Sequence, residues 1–281
     1  MSKIYSKKQG SGDPIVLIHG FCETSEIWKP IVNKLALSNE VHTLDLPGFG
    51  ASPLPTEAFT LEDISGTVYQ WIVDNNLQGS IIIGHSLGGY VTLALAKNHP
   101  KAIKGFGLFH SSALADDEEK KSSRNKTIDF VKKRGVMVFA ESFVTQLFYL
   151  KNRSRLKKEI EEVTKMAGNT SEETLVRYME AMRDRPDNTE ILKTFDKPVL
   201  FIAGDQDSSV PIEKSQAQFE YIKKPFIHVL NNVGHMGMYE DTAACFLAIR
   251  QFIDASGSNE TQVERKGALP DQDLKRNLGC G

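Results

Sequence analysis

Cysteine is scarce in this sequence, which has three among 281 residues: Cys22, Cys245 and Cys280. An odd number of widely separated cysteines argues against a disulfide framework and favours a reducing compartment, so we expect a cytoplasmic protein. No apolar run approaches the length that spans a membrane. The N-terminal residues carry charge without the apolar stretch of a signal peptide, so we expect neither membrane insertion nor export.

An excess of charge of one sign is also missing. The sequence has 34 basic and 36 acidic residues, a formal net charge of -2, and the two signs are interspersed. Nothing in this balance suggests nucleic acid or an anionic membrane as a partner. There is no H-E-x-x-H motif and no cysteine cluster, and the glycines at 84, 88 and 89 lack dinucleotide-binding spacing. We therefore expect no metal and no cofactor.

The length suits one large domain, or a domain with an insertion. Short apolar runs alternate with helical patterns over residues 1–111 and 195–255, which predicts a mostly parallel sheet with helices on both faces. Residues 112–194 are charged and helical in pattern, which predicts an inserted helical cap. We expect four helices in it, over residues 116–134, 136–150, 154–167 and 171–183. Within it, the large apolar residues of 136–149 pack onto the main domain or line a pocket. A helix over residues 241–255 is expected to close the fold. Residues 256–281 are polar without periodicity, so we expect a disordered tail.

One stretch carries the motif of a nucleophile. Residues 81–83 form a β-branched apolar run typical of a buried parallel strand, and residues 84–88 then fit G-x-S-x-G. A helical pattern follows at once. A serine in so sharp a turn is strained, and the chain passes too close to itself for side chains at 84 and 88. The hydroxyl then projects at a helix N-terminus, and we predict that Ser86 is a nucleophile.

A serine hydroxyl becomes a good nucleophile only when a base takes its proton, and histidine suits that task near neutral pH. His235 follows a predicted strand, as do the two acids Asp205 and Asp207, one of which must orient the imidazole. Sites in open α/β sheets lie at the carboxyl ends of strands, where all these residues fall. The chain order serine, aspartate, histidine is the one expected for this turn.

Taken together, these motifs resemble the α/β-hydrolase superfamily over nearly the whole chain, to about residue 255. Residues 19–21, His-Gly-Phe, are similar to the oxyanion loop of that family. Residues 45–52 resemble its D-x-x-G-x-G-x-S segment, and residues 204–211 its G-x-x-D-x-x-V-P acid loop. Residues 232–235 resemble its G-H loop. The resemblance implies an α/β-hydrolase fold with an inserted helical cap.

The resemblance also implies roles for single residues. In the acid loop the carboxylate is Asp207, with Asp205 as the fallback. The implied triad is therefore Ser86, Asp207 and His235. The implied oxyanion hole consists of the backbone N–H groups of Phe21 and Leu87.

Within the superfamily the sequence looks closest to small capped carboxylesterases of the pimeloyl-carrier-protein methyl ester esterase type. The expected reaction is cleavage of a small-molecule ester through an acyl-enzyme, without a cofactor. Enol-lactonases and carbon–carbon bond hydrolases share the triad and stay alternatives, as does a haloperoxidase side activity. A ligand-sensing module of the same fold and a cyanohydrin lyase are further hypotheses. Acyl-chain length and oligomeric state are left open.

Other chemistry-bearing residues have plainer interpretations. We expect Cys22 to be a packed thiol rather than a nucleophile. His19 is expected to order the oxyanion loop, and His85 to pack behind Ser86. His110 either faces the pocket or makes a structural hydrogen bond.

Overall fold

A seven-stranded sheet forms the centre of the protein, in a computed structural model that describes residues 4–267 and side chains as far as residue 257. The strands are β1 (Ser6–Gln9), β2 (Asp13–Ile18), β3 (Asn39–Leu44), β4 (Ser80–His85), β5 (Ile103–Phe109), β6 (Val199–Gly204) and β7 (Pro225–Leu230). Their order across the sheet is β1-β3-β2-β4-β5-β6-β7. The pairing of β1 with β3 is antiparallel and the other pairings are parallel. The predicted α/β class and mostly parallel sheet are confirmed.

Helices connect the strands and flank the sheet. They are α1 (Lys29–Leu35), α2 (Leu61–Asp74), α3 (Leu87–Asn98), α4 (Glu118–Arg134), α5 (Val136–Leu147), α6 (Lys157–Gly168), α7 (Glu172–Arg183), α8 (Thr189–Thr194), α9 (Ile212–Phe219), α10 (Gly237–Glu240) and α11 (Thr242–Gly267). The chain moves one way across the sheet from β2 to β3 and the other way from β3 to β4. Right-handed crossovers therefore place α1 and α2 on opposite faces. α1 packs against α11, and α2 against α3.

Five helices, α4 to α8, lie between β5 and β6, in the segment that we predicted as a cap. The short helix α8 was not predicted, and it contacts α3 beside the sheet. We predicted the second cap helix to end near residue 150, but it ends at Leu147, because Phe148 has extended backbone angles (φ -90°, ψ 136°). The next helix begins at Lys157 rather than at the predicted Ser154.

The last helix is longer than we predicted. We placed its end at residue 255 and expected disorder from residue 256, whereas α11 continues to Gly267. A helix already nucleated by packed turns adds further residues at little cost, even where they have no apolar face. The rest of the predicted tail, residues 268–281, lies outside the described residues.

None of the helices in the described part of the chain is long and apolar enough to cross a membrane. The cytoplasmic location inferred from the cysteine content stays a prediction.

The parallel strands bring the candidate residues to one edge of the sheet. All six residues of β4 are buried, which suits the β-branched run at its centre. Because β2, β4, β5, β6 and β7 run in the same direction, the loops after them open at the same edge. Those loops begin at residues 19, 86, 110, 205 and 231. They carry Phe21, Ser86, Asp207 and His235 of the candidate site described below.

Candidate active site

Ser86 lies at a strained turn between β4 and α3. Its backbone angles are φ 47° and ψ -111°, a combination that costs a residue with a side chain about 1–3 kcal/mol. A Cβ at Gly84 would lie 2.2 Å from the backbone of Gly88, and a Cβ at Gly88 would lie 2.4 Å from the Ile18 carbonyl. The Ser86 N–H donates to the Phe109 carbonyl at 3.0 Å. The two flanking glycines are therefore required by close backbone approach, as the motif predicts.

His235 and Asp207 are joined by a buried hydrogen bond. Nδ1 of His235 donates to Oδ2 of Asp207 at 2.7 Å. Oδ1 of Asp207 accepts the backbone N–H groups of Ser209 and Val210 at 2.8 Å and 3.0 Å. Burial alone would raise the pKa of Asp207, but the charge of His235 and the hydrogen bonds to this carboxylate hold that pKa well below its usual range. Asp207 is thus an anion that orients the imidazole.

Asp205 is directed elsewhere. Its Oδ1 accepts the N–H of Val233 at 3.3 Å and so links the two loops that carry Asp207 and His235. Of the two acids that the residues alone left open, Asp207 is the one that contacts the histidine.

Ser86 and His235 line one cavity of about 520 Å³. Phe21 of the oxyanion loop and residues of α4, α5 and α7 complete its walls. No hydrogen bond joins the Ser86 hydroxyl to His235 among the described side chains, which is common before substrate binds. Leu87 is buried at the first position of α3, where its N–H has no helical partner. The apolar segment 136–149, most of which is α5, both packs onto the main domain and lines the pocket. Val144 is buried in the core, whereas Phe139 and Phe143 line the cavity.

The oxyanion loop is held by a neutral histidine. Nε2 of His19 accepts the N–H of Leu46 at 2.9 Å, and Nδ1 therefore carries the proton and donates to the Gly20 carbonyl at 2.7 Å. Burial lowers the pKa of His19, which keeps the ring neutral. Asp45 accepts the N–H of Ala51 at 3.0 Å, which closes the loop that follows β3. His19 thus orders the oxyanion loop, as we predicted, and Asp45 has a structural role.

His110 packs beneath Asp207 rather than facing the cavity. Its Nδ1 lies 3.3 Å from Oδ2 of Asp207, but the geometry makes no hydrogen bond with either ring nitrogen. Burial lowers the pKa of His110 to about 4, so the ring is neutral at neutral pH. Neither of the two alternatives that we considered for this side chain describes it, because the ring does not line the cavity and makes no hydrogen bond among the described residues. Cys22 is buried, and burial raises the pKa of its thiol, so it is a packed residue as expected.

A buried ion pair between His85 and Glu23 was missed in the sequence. Nδ1 of His85 lies 2.9 Å from Oε2 of Glu23, and its Nε2 lies 3.0 Å from the His235 carbonyl. Both ring nitrogens face acceptors, so both carry protons and the imidazole is cationic. Burial alone would lower the pKa of His85, but Glu23 raises it above its usual value. Glu23 also accepts the Gly20 N–H at 2.6 Å, so the pair connects the oxyanion loop to the His235 loop.

The pair predicts a large effect on stability. We expect Glu23→Gln to lower the free energy of unfolding by about 3 kcal/mol, because it leaves the His85 cation buried without an anion. Urea denaturation measures this change. The double variant Glu23→Gln/His85→Gln should recover part of the loss, which a double-mutant cycle would resolve.

A matched control is Asp184→Asn, which breaks the exposed Arg183–Asp184 pair and should cost less than about 1 kcal/mol. If Glu23→Gln costs no more than Asp184→Asn, the buried pair does not carry the stability that we assign to it.

One cluster has the composition of a metal site. His110, Asp207 and His235 place one possible ligand atom each within 4.8 Å of one another. A cation there would compete with the hydrogen bond between Asp207 and His235, because both residues would be its ligands. The absence of a metal and of a cofactor, inferred from the sequence, stays a prediction.

Comparisons with known proteins agree with this architecture. A family model described as alpha/beta hydrolase fold matches residues 13–242. The chain is an α/β-hydrolase. It is similar to a 2-hydroxy-6-oxo-6-(2'-aminophenyl)hexa-2,4-dienoic acid hydrolase of Metapseudomonas resinovorans, with 23% identity over 82% of this chain and 80% of the relative.

Two further proteins are esterases. A pimeloyl-[acyl-carrier protein] methyl ester esterase of Sodalis glossinidius is 34% identical over 40% of this chain, and the match spans only 42% of that esterase. The solved structure of a thermophilic esterase from Thermogutta terrifontis superposes with a TM-score of 0.85 at 25% identity, over 90% of this chain and 93% of that one. The predicted resemblance of this α/β-hydrolase to esterases is thereby confirmed, whereas its substrate is not identified by these relatives.

Proposed function

We propose that this α/β-hydrolase is a serine carboxylesterase that cleaves small to medium acyl esters through an acyl-enzyme. The observation that carries the proposal is the 2.7 Å hydrogen bond from His235 to the buried Asp207 anion, in a cavity that also contains the strained Ser86. A nucleophile, a base and an orienting carboxylate at one sheet edge are the parts that acyl transfer needs.

In the proposed reaction the Ser86 oxygen attacks the ester carbonyl carbon while Nε2 of His235 takes the hydroxyl proton. Asp207 accepts from Nδ1 and stabilises the imidazolium that forms. The N–H groups of Phe21 and Leu87 donate to the oxyanion, and loss of one such donor typically costs about 3 kcal/mol. His235 then protonates the leaving alcohol, and water cleaves the acyl-enzyme by the same steps.

The volume and the lining residues of the cavity support an ester of modest size as the substrate. A volume of about 520 Å³ lies in the range typical of small-molecule sites. Six apolar side chains that suit an acyl chain line the cavity. They are Phe21, Phe139, Phe143, Leu147, Met179 and Met182.

The experiment that tests the proposal combines turnover with labelling. p-Nitrophenyl esters from acetate to dodecanoate should be hydrolysed with many turnovers, with an optimum below the longest chain. A fluorophosphonate should inactivate the protein, and mass spectrometry of the peptides should place the adduct on Ser86. An adduct on another residue would contradict the nucleophile, and a single turnover without product release would favour the ligand-sensing module instead.

A further inference from the structure

The side of the cavity formed by α4 is cationic. One face of α4 lines the cavity with residues at helical spacing, namely Lys120, Ser123, Arg124 and Thr127. Lys126 also lines the cavity. Among the described residues that line the cavity, three are cations and none is an aspartate or glutamate. A neutral ester would gain no ion pair from this excess of positive charge in the cavity wall.

These cations are only partly neutralised by neighbouring carboxylates. Asp116 is buried and is shared by two guanidinium groups, since it pairs with Arg124 and accepts from Arg185 at 2.7 Å. Nη1 of Arg124 faces only the sulfur atoms of Met179 and Met182, at 3.6 Å, and sulfur is a weak acceptor. One carboxylate thus serves two arginines, which leaves positive charge at the cavity wall.

Lys120 adds to this surplus. Its Nζ donates to the backbone carbonyl of Ser209 at 2.6 Å, which supplies no negative charge. Ser209 belongs to the acid loop, and its own N–H donates to Asp207. Lys120 is therefore held beside the reacting groups rather than free in solvent.

The position of Tyr90 relates this charge to the nucleophile. Tyr90 lies four residues beyond Ser86 in α3, a rise of about 6 Å along the helix. The Arg185 guanidinium lies 4.0 Å from the centre of the Tyr90 ring. Burial alone would raise the pKa of Tyr90, but Arg185, Arg124 and Lys120 lower it overall. The positive charge of this wall therefore acts on Tyr90, which lies in the same helix turn as Ser86.

We infer that the ester cleaved at Ser86 carries a carboxylate, which binds between Lys120 and Arg124. This inference rests on the proposed function and specifies its substrate class, a monoester of a dicarboxylic acid. Partly neutralised cations in a partly buried wall are stabilised when an anion binds, and charge-assisted hydrogen bonds to a carboxylate are strong. The two cations lie on neighbouring turns of α4, so each can donate to one carboxylate oxygen.

The test compares monomethyl with dimethyl esters of glutarate, adipate and suberate. For the wild type we expect kcat/KM to favour the monoester about tenfold or more, and added salt to reduce this preference. The ratio of kcat/KM for the monoester to kcat/KM for the diester should fall in Lys120→Gln. It should fall further, by about tenfold in all, in Lys120→Gln/Arg124→Gln. The ratio corrects for any general loss of folded enzyme. Lys121→Gln is the matched control, because Lys121 pairs with Glu118 and does not line the cavity, so the ratio should not change.

Binding gives a readout without turnover. Adipate should bind to the Ser86→Ala variant in titration calorimetry and should bind more weakly when Lys120 is replaced. If neutral diesters are hydrolysed but monoesters are not preferred, the inference is wrong and the proposed function stands. If no ester is hydrolysed by the wild type, the proposed function fails, and the inference fails with it.

Discussion

Replacing Ser86 with alanine is expected to lower kcat for p-nitrophenyl butyrate by about 10⁴-fold or more, with little change in the fold. The expected loss is large because nucleophile and base act as a unit, and removal of the nucleophile leaves only binding and the oxyanion hole. Initial rates at saturating ester measure it. Alanine keeps the β-carbon, so the strained backbone at φ 47° is retained.

Ser86→Gly is the control that separates chemistry from strain. It removes the same hydroxyl but relieves the positive φ, so it should be equally inactive and more stable than Ser86→Ala, by about 1 kcal/mol. Thermal unfolding of the two variants gives this difference. If Ser86→Ala retains activity within tenfold of the wild type, another group is the nucleophile.

The strained turn around Ser86, here called the elbow, could be predicted because the steric contacts that produce it are local in the sequence. Strand, glycine, serine, glycine and helix follow one another within the stretch from Ile81 to Asn98, and the steric conflict at Gly84 involves only Gly88 and its neighbours. The sheet was predictable for the same reason, since each buried parallel strand is a short apolar run. The errors concern helices outside the sheet. Helix α8 was not predicted, and the end of α11 was misjudged because packing of its early turns decides how far the helix extends.

The Glu23–His85 pair could not be predicted, because its members lie far apart in the chain and neither has a motif that names the other. Glu23 follows the oxyanion loop and His85 occupies the variable position of the elbow. Only the pairing of β2 with β4 brings them together. The sequence does place Glu23 and His85 beside glycine-containing loops at strand ends. Only the tertiary structure shows that these two residues are each other's partner. His110 was ambiguous for the same reason.

The cationic wall of the cavity has the same origin. Lys120 and Arg124 belong to α4, whose sequence is mostly charged and is typical of a solvated helix. The few apolar residues of α4 do not identify the face that turns towards the cavity. The cap places that face above Ser86, so the substrate class depends on how the cap docks, whereas the proposed reaction depends on the sheet edge.

The loop after β6 contains two aspartates, and only Asp207 contacts His235. Asp205 therefore serves as the matched control for a substitution of Asp207. We expect Asp207→Asn to lower kcat by about 10⁴-fold, whereas Asp205→Asn should retain activity within a few-fold. The reason is geometric. The N–H groups of Ser209 and Val210 both donate to Oδ1 of Asp207, so an asparagine must keep its amide oxygen there. Its NH₂ group then faces Nδ1 of His235.

An NH₂ group facing Nδ1 forces that nitrogen to become an acceptor, which moves the ring proton to Nε2. Nε2 is the atom that must take the proton from Ser86, so the imidazole is held in the wrong tautomer while its position barely changes. Titration of the His235 ring by NMR would report the tautomer, and ester hydrolysis would report the rate. If Asp205→Asn is the more damaging change, the orienting acid is not the one that contacts His235 in this structure. If Asp207→Asn is inactive because it is unfolded, its urea transition will differ from that of the wild type, whereas the tautomer mechanism requires a folded protein with an intact cavity.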